Sequence, residues 1–180
     1  DNYTFNLPNT TMNPGGGVKN VPQTVSINYA VAGAEVRYTL DGTTPTPASA
    51  LYGSPLSVDA TTTVKAKAFK SGWTDSTVAS QTYTMEVALP QLAPGSGTYP
   101  SAQTVTVTSN STGASLHYTT NGLEPNESSP TIASGGTIPV AAATVLMVKG
   151  FKAGCTTSDL ATGAYVIAGG ALATPTFSPV

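Results

Sequence analysis

One histidine, one cysteine and nine carboxylates are the residues of this chain best equipped for chemistry. Acyl or glycosyl transfer through a serine or cysteine needs a base held in place by a third group. His117 is the single histidine available, in Leu116-His117-Tyr118, facing away from Leu116 and Tyr118. It is expected to be a polar, outward residue of a strand. Pairing it with Cys155 would require distant parts of one domain to converge. The carboxylates are Asp1, Glu35, Asp41, Asp59, Asp75, Glu86, Glu124, Glu127 and Asp159, and no two stand at a repeated spacing. Glu124, Asn126 and Glu127 offer oxygens for a weak Ca²⁺ site, although a solvated acidic loop is the plainer expectation. Zinc ligands are lacking. The sequence therefore implies no catalytic residue, no metal site and no cofactor, and the chain is not read as an enzyme.

Sugar binding asks for something else: an exposed aromatic platform with polar groups beside it. Trp73, at a Gly-Trp-Thr turn, is the best candidate. The competing expectation is that Trp73 plugs the end of a β-sandwich. Tyr38 and Tyr118 lie inside alternating segments and are expected in the core. Nucleic acid is an unpromising partner, because the seven Lys and Arg are scattered and the formal net charge is −2. No stretch reaches the ~18 apolar residues of a membrane-spanning helix.

The elements that would carry these residues come in two copies. Gly33-Ala34-Glu35-Val36-Arg37-Tyr38-Thr39-Leu40-Asp41-Gly42 returns 80 positions later as Gly113-Ala114-Ser115-Leu116-His117-Tyr118-Thr119-Thr120-Asn121-Gly122. Gln23-Thr24-Val25 returns as Gln103-Thr104-Val105, and Phe69-Lys70-Ser71-Gly72-Trp73 returns, now 82 positions on, as Phe151-Lys152-Ala153-Gly154-Cys155. A period of this length indicates one domain duplicated. Within each copy apolar residues alternate with polar ones, as in Val64, Ala66 and Ala68 against Lys65 and Lys67, which is the mark of half-buried strands. Val36, Tyr38 and Leu40 alternate in the same way. Asp41-Gly42 and Asn121-Gly122 suit tight turns. The expected fold is all-β: two tandem antiparallel β-sandwiches of the immunoglobulin or fibronectin type. Cys155 has no partner cysteine, and its place opposite Trp73 marks a packing position.

Taken together, the Pro-rich entry Leu92-Ala93-Pro94, then Gln103-Thr104-Val105, Tyr118-Thr119-Thr120-Asn121-Gly122, Gly72-Trp73-Thr74-Asp75-Ser76 and the closing Tyr83-Thr84-Met85 resemble the chitobiase and β-hexosaminidase C-terminal domain family. The resemblance covers about residues 12–167. It implies a fibronectin-like, non-catalytic accessory sandwich, and the catalytic fold of chitobiase is not part of it.

The ends repeat motifs of the interior. Tyr3-Thr4-Phe5 resembles Tyr83-Thr84-Met85 and Tyr165-Val166-Ile167, while Phe177-Ser178-Pro179 resembles Met12-Asn13-Pro14 and Leu92-Ala93-Pro94. Residues 1–10 then read as the end of a preceding repeat or a donor strand, 11–88 as the first sandwich, 89–169 as the second, and 170–180 as the start of a further repeat. Either the chain is a slice of a longer array, or its end strands complete neighbouring subunits. Tyr3, Phe5, Leu7 and Phe177 are the expected interaction residues, with Trp73 held for a glycan. The connector Leu89–Pro94, with two prolines, is expected to be stiff. A surface rich in Thr and Ser and poor in charge implies an extracellular, cell-surface or virion-associated protein. The function expected is a structural module: a stalk, spacer or filament subunit pairing with copies of itself or with adjacent domains. The alternative is a carbohydrate-binding accessory module of a secreted polysaccharide-processing enzyme or adhesin.

Overall fold

The computed structural model describes residues 4–169. Among them every regular element is a strand, and the strands divide between two compact units. The first unit comprises residues 1–88 with Asn110–Thr112 and Lys152–Thr157, and the second comprises the remainder. The all-β, two-sandwich architecture read from the alternation is what the structure has.

In the first unit, β1 (Thr11–Asn13), β3 (Gln23–Asn28) and β6 (Leu56–Val58) form a three-stranded antiparallel sheet in the order β1-β3-β6. A five-stranded sheet runs in the order β2-β8-β7-β4-β5. Its members are β2 (Gly17–Lys19), β4 (Glu35–Thr39), β5 (Ala50–Leu51), β7 (Thr62–Phe69) and β8 (Ala79–Met85). Four of its strands run antiparallel in sequence, and only β2 lies parallel to its neighbour, β8. Val25, Val64, Ala66, Ala68 and Tyr83 are fully buried between the sheets. Each large aliphatic side chain so placed contributes about 1.5–3 kcal/mol. Lys65 and Lys67 point the other way, as period two requires. Leu40 departs from the alternation: it lies just past β4 and is exposed, because the chain there turns out of the sheet.

The second unit repeats the plan. β9 (Gln91–Ala93), β11 (Gln103–Thr108) and β14 (Gly136–Val140) make the small sheet. β10 (Gly97–Tyr99), β12 (Ser115–Thr119), β13 (Thr131–Ile132), β15 (Thr144–Phe151) and β16 (Ala161–Ile167) make the large one. Its core is Val105, Val107, Leu116, Leu146, Val148 and Tyr165. Pro139 sits in β14, an edge strand, with its ring exposed, where a missing N–H costs no ladder bond. Half of the stretch expected as a stiff connector is strand: Gln91–Ala93 pairs with Thr106–Thr108 as β9.

Turn chemistry explains where the strands stop. Gly42 and Gly122 adopt φ of 77° and 78°, the left-handed region that side chains resist. Beside them Asp41 Oδ1 accepts from Thr43 N at 3.0 Å, and Asn121 Oδ1 from Leu123 N at 3.1 Å. The prolines that follow, Pro45 and Pro125, are both buried and serve as plugs as well as strand breakers.

Candidate functional site

His117 lies on the outward side of β12, and it is nonetheless buried, only 6% exposed. The loop before β13 roofs it, and Phe151 meets its ring edge-on at 5.2 Å. Its Nδ1 faces the Ser129 carbonyl oxygen at 2.8 Å, so Nδ1 carries the proton and donates. Nε2 is then free to accept from the Ser115 hydroxyl at 2.8 Å. The expectation of an open, polar histidine is corrected: β12 faces it outward, and the loop closes over it. Through its Nδ1–H on the Ser129 carbonyl, the ring ties the loop before β13 to the sheet. Cys155 is half-buried and has no disulfide partner, and its Sγ lies 3.6 Å from the Asp59 carbonyl oxygen, whereas the ring of His117 meets Ser115, Ser129 and Phe151. The two residues are not brought together.

The acidic loop is likewise committed internally. Glu124 pairs with Lys149 at 2.5 Å, Asn126 Oδ1 accepts from Ser128 N at 2.9 Å, and the remaining donors do not converge. Among the described residues, no three of His, Cys, Asp or Glu are grouped as a metal would need. Asp41 is held below the usual carboxylate range, chiefly by the Thr43 hydroxyl at 2.6 Å and then by the Thr43 amide.

Polar side chains that sequence reading passed over turn out to recur in structure. Ser76 Oγ accepts from Ala68 N and donates to Thr77 O. Ser158 Oγ accepts from Gly150 N and donates to Asp159 O. Tyr83 donates its hydroxyl to Pro14 O at 2.7 Å, and Tyr165 to Pro94 O at 2.8 Å. Both prolines follow cis peptide bonds. Burial pushes both phenols up. The sequence signal was available: each pair sits at the repeat offset, as a serine four residues after Gly72 or Gly154 and a tyrosine near the end of each copy.

Three of the expected interaction residues, Phe5, Leu7 and Trp73, gather in one place. Phe5 lies on Trp73 with ring centroids 4.9 Å apart and planes at 30°. Lys70 Nζ stands 4.6 Å from the centre of the same indole, while donating to Ala32 O. Leu7 N donates to Thr74 O at 3.0 Å, and Thr74 N to Phe5 O at 2.8 Å, so residues 5–7 run as a short parallel strand along the turn. Leu7 is buried in the first core, and Trp73 packs against the same cluster. Trp73 is half-buried at this turn. Its ring is already met by Phe5 and Lys70. Tyr3 and Phe177 lie outside the described residues.

Known proteins resemble this chain in part. An endoglucanase of Clostridium saccharobutylicum is 39% identical over 69 aligned residues, which take in 32% of this chain and 15% of that protein. The chain therefore spans only a small part of its curated relative. Among solved structures, the fibronectin(III)-like modules of Clostridium thermocellum CbhA match 94% of this chain and all of theirs, at 12% identity and a TM-score of 0.31. A chimeric titin Z1Z2 tandem matches 92% of this chain and 95% of its own, at 12% identity and a TM-score of 0.34. The profile of the chitobiase/β-hexosaminidase C-terminal domain matches residues 14–85 and again 94–162. By that match, which takes in both sandwiches, the chain belongs to the chitobiase/β-hexosaminidase C-terminal domain family and carries it in two tandem copies.

Proposed function

We propose that this chain is a non-catalytic extracellular spacer: paired sandwiches that hold a neighbouring domain of a polysaccharide-processing protein at a distance, with end segments that pair to adjoining repeats. The observation that carries the reading is the use made of its polar residues. His117, Ser76, Ser158, Tyr83 and Tyr165, the residues a reactive site would draw on, are each buried and tied to a backbone carbonyl or amide. The endoglucanase relative supports placing the module beside an enzyme that acts on polysaccharide. Its partners on this reading are other repeats or adjacent domains.

Sugar binding is the competing role, and Trp73 is its test. Retention on insoluble cellulose and chitin should match that of an unrelated β-sandwich, for the chain and for Trp73→Ala alike. Specific retention that disappears in Trp73→Ala would overturn the spacer reading in favour of a carbohydrate-binding module.

A further inference from the structure

The contact between a repeat's tail and a Gly-x-Thr turn occurs twice within the first unit. In one instance Leu7 N donates to Thr74 O and Thr74 N to Phe5 O. In the other Val87 N donates to Thr156 O at 2.9 Å, and Thr156 N to Met85 O at 2.7 Å. Both are parallel bridges, Asn6 to Thr74 and Glu86 to Thr156. The tails are 80 positions apart and the turns 82, the offsets of the duplication itself. The residue that donates to the turn is buried in both, Leu7 at 5% and Val87 at 1% exposed, while the residue that accepts varies, Met85 being buried and Phe5 exposed. So residues 5–7 occupy the Trp73 turn just as a repeat tail occupies the next turn of its kind.

A third tail has no such turn bonded to it among the described residues. Beyond β16, Ala168 N donates to Tyr99 O at 2.9 Å, as Glu86 N does to Lys19 O at 2.9 Å, so the chain sets out on the same path. There the likeness stops. Ile167 is half-buried, between exposed Phe5 and buried Met85, and Gly169, at the place of the buried Leu7 and Val87, is exposed. Gly169 N, the counterpart of Leu7 N and Val87 N, has no acceptor among the described residues.

We infer that residues 166–169 are a docking site for the Gly-x-Thr turn of a further repeat of this kind, joined after residue 169. The inference rests on the spacer reading and deepens it, by naming the contact that would set each added repeat on the last. The partner must present a threonine or serine whose amide reaches Ile167 O and whose carbonyl accepts from Gly169 N. Gly169 replaces Leu7 and Val87, so Ile167 is the apolar anchor on this side, and the incoming turn supplies the bulk, as Trp73 does. The sequence beyond supports this occupant: Phe177-Ser178-Pro179 begins 10 positions after Ile167 and resembles the entry motif Leu92-Ala93-Pro94, which begins 7 after Met85. That motif lies outside the described residues.

The test is amide hydrogen exchange on a chain in which residues 88–169 follow residue 169 as a third copy. Gly169 should exchange at least ~10-fold more slowly in the three-copy chain than in the parent. The protection should vanish when Thr156 of the added copy is changed to Pro, and also with Ile167→Asp, which leaves the added copy untouched. If Val87 is protected and Gly169 is not, the docking site is refuted while the spacer reading stands. If neither is protected, the tail-and-turn contact itself fails and the spacer reading fails with it. Protection of Gly169 that rises with concentration in the parent chain would assign the site to a second copy and overturn the proposal.

Discussion

His117 and Arg37 occupy equivalent positions and reach equivalent carbonyls, 80 positions apart. Arg37 Nη1 donates to Ser49 O at 3.1 Å, and His117 Nδ1 to Ser129 O at 2.8 Å. What the site selects is a donor long enough to tether the loop before the edge strand, and two chemically different side chains satisfy it. His117→Arg should therefore unfold within about 1 kcal/mol of the parent in urea, whereas His117→Ala removes the donor to the half-buried Ser129 carbonyl and should cost about 1–3 kcal/mol. A catalytic or metal-binding histidine would show no such ordering in function, with Arg as damaging as Ala. Asp41 makes a second residue-level case. Its carboxyl is held low by the Thr43 hydroxyl and amide, so it favours the folded state while ionised. That contribution is present above the ordinary carboxylate pKa and is lost as pH falls through the lowered folded value. Asn121 performs the same turn in the other copy without a charge. Asp41→Asn should accordingly keep the fold at neutral pH and flatten the decline of the first unit's stability in strong acid, measured by urea unfolding at several pH values.

The sheets depend on a few cross-ties between elements. Tyr83, in β8, donates to Pro14 O just before β2, and Tyr165, in β16, does the same for Pro94 O before β10. Each bond fixes the path by which the entry segment reaches the five-stranded sheet, whose first strand is the parallel one. Tyr83→Phe and Tyr165→Phe should each cost about 0.5–1.5 kcal/mol. Because the two tyrosines belong to separate cores, their effects should add in the double variant. These elements also show what was legible in the sequence. Alternation exposed the strands with large apolar faces, such as β7 and β15, and the Asp-Gly and Asn-Gly pairs marked their turns. The three-residue strands β1, β2, β9 and β10 carry too few residues to display a period, so the connector at Leu89–Pro94 read as linker although Gln91–Ala93 is β9. The roof over His117 was illegible for another reason: period two gives the side of a strand, and only the returning loop decides whether that side meets water. Phe5 and Leu7 were legible as repeat-tail residues, while their place against Trp73 depends on a contact across 67 and more positions that no local pattern encodes.

At the scale of the whole molecule, the duplication yields two cores that share no buried residue. Val25, Val64, Ala66 and Tyr83 belong to one, and Val105, Val107, Leu146 and Tyr165 to the other. Cooperativity in folding follows shared burial, so each core should behave as its own unfolding unit. Leu146, fully buried in β15, is the place to ask. Leu146→Ala removes a large aliphatic group from a closed core and should cost that unit about 2–5 kcal/mol. Hydrogen exchange should then rise across β11, β12, β15 and β16, while amides of β3, β4 and β7 keep their parent rates. A uniform rise through both sets would mean that the two sandwiches fold as one cooperative body. A spacer built from repeats has reason to avoid that arrangement, because a local failure in one sandwich would then release the whole chain, whereas separate cores confine the damage to the sandwich in which it arises.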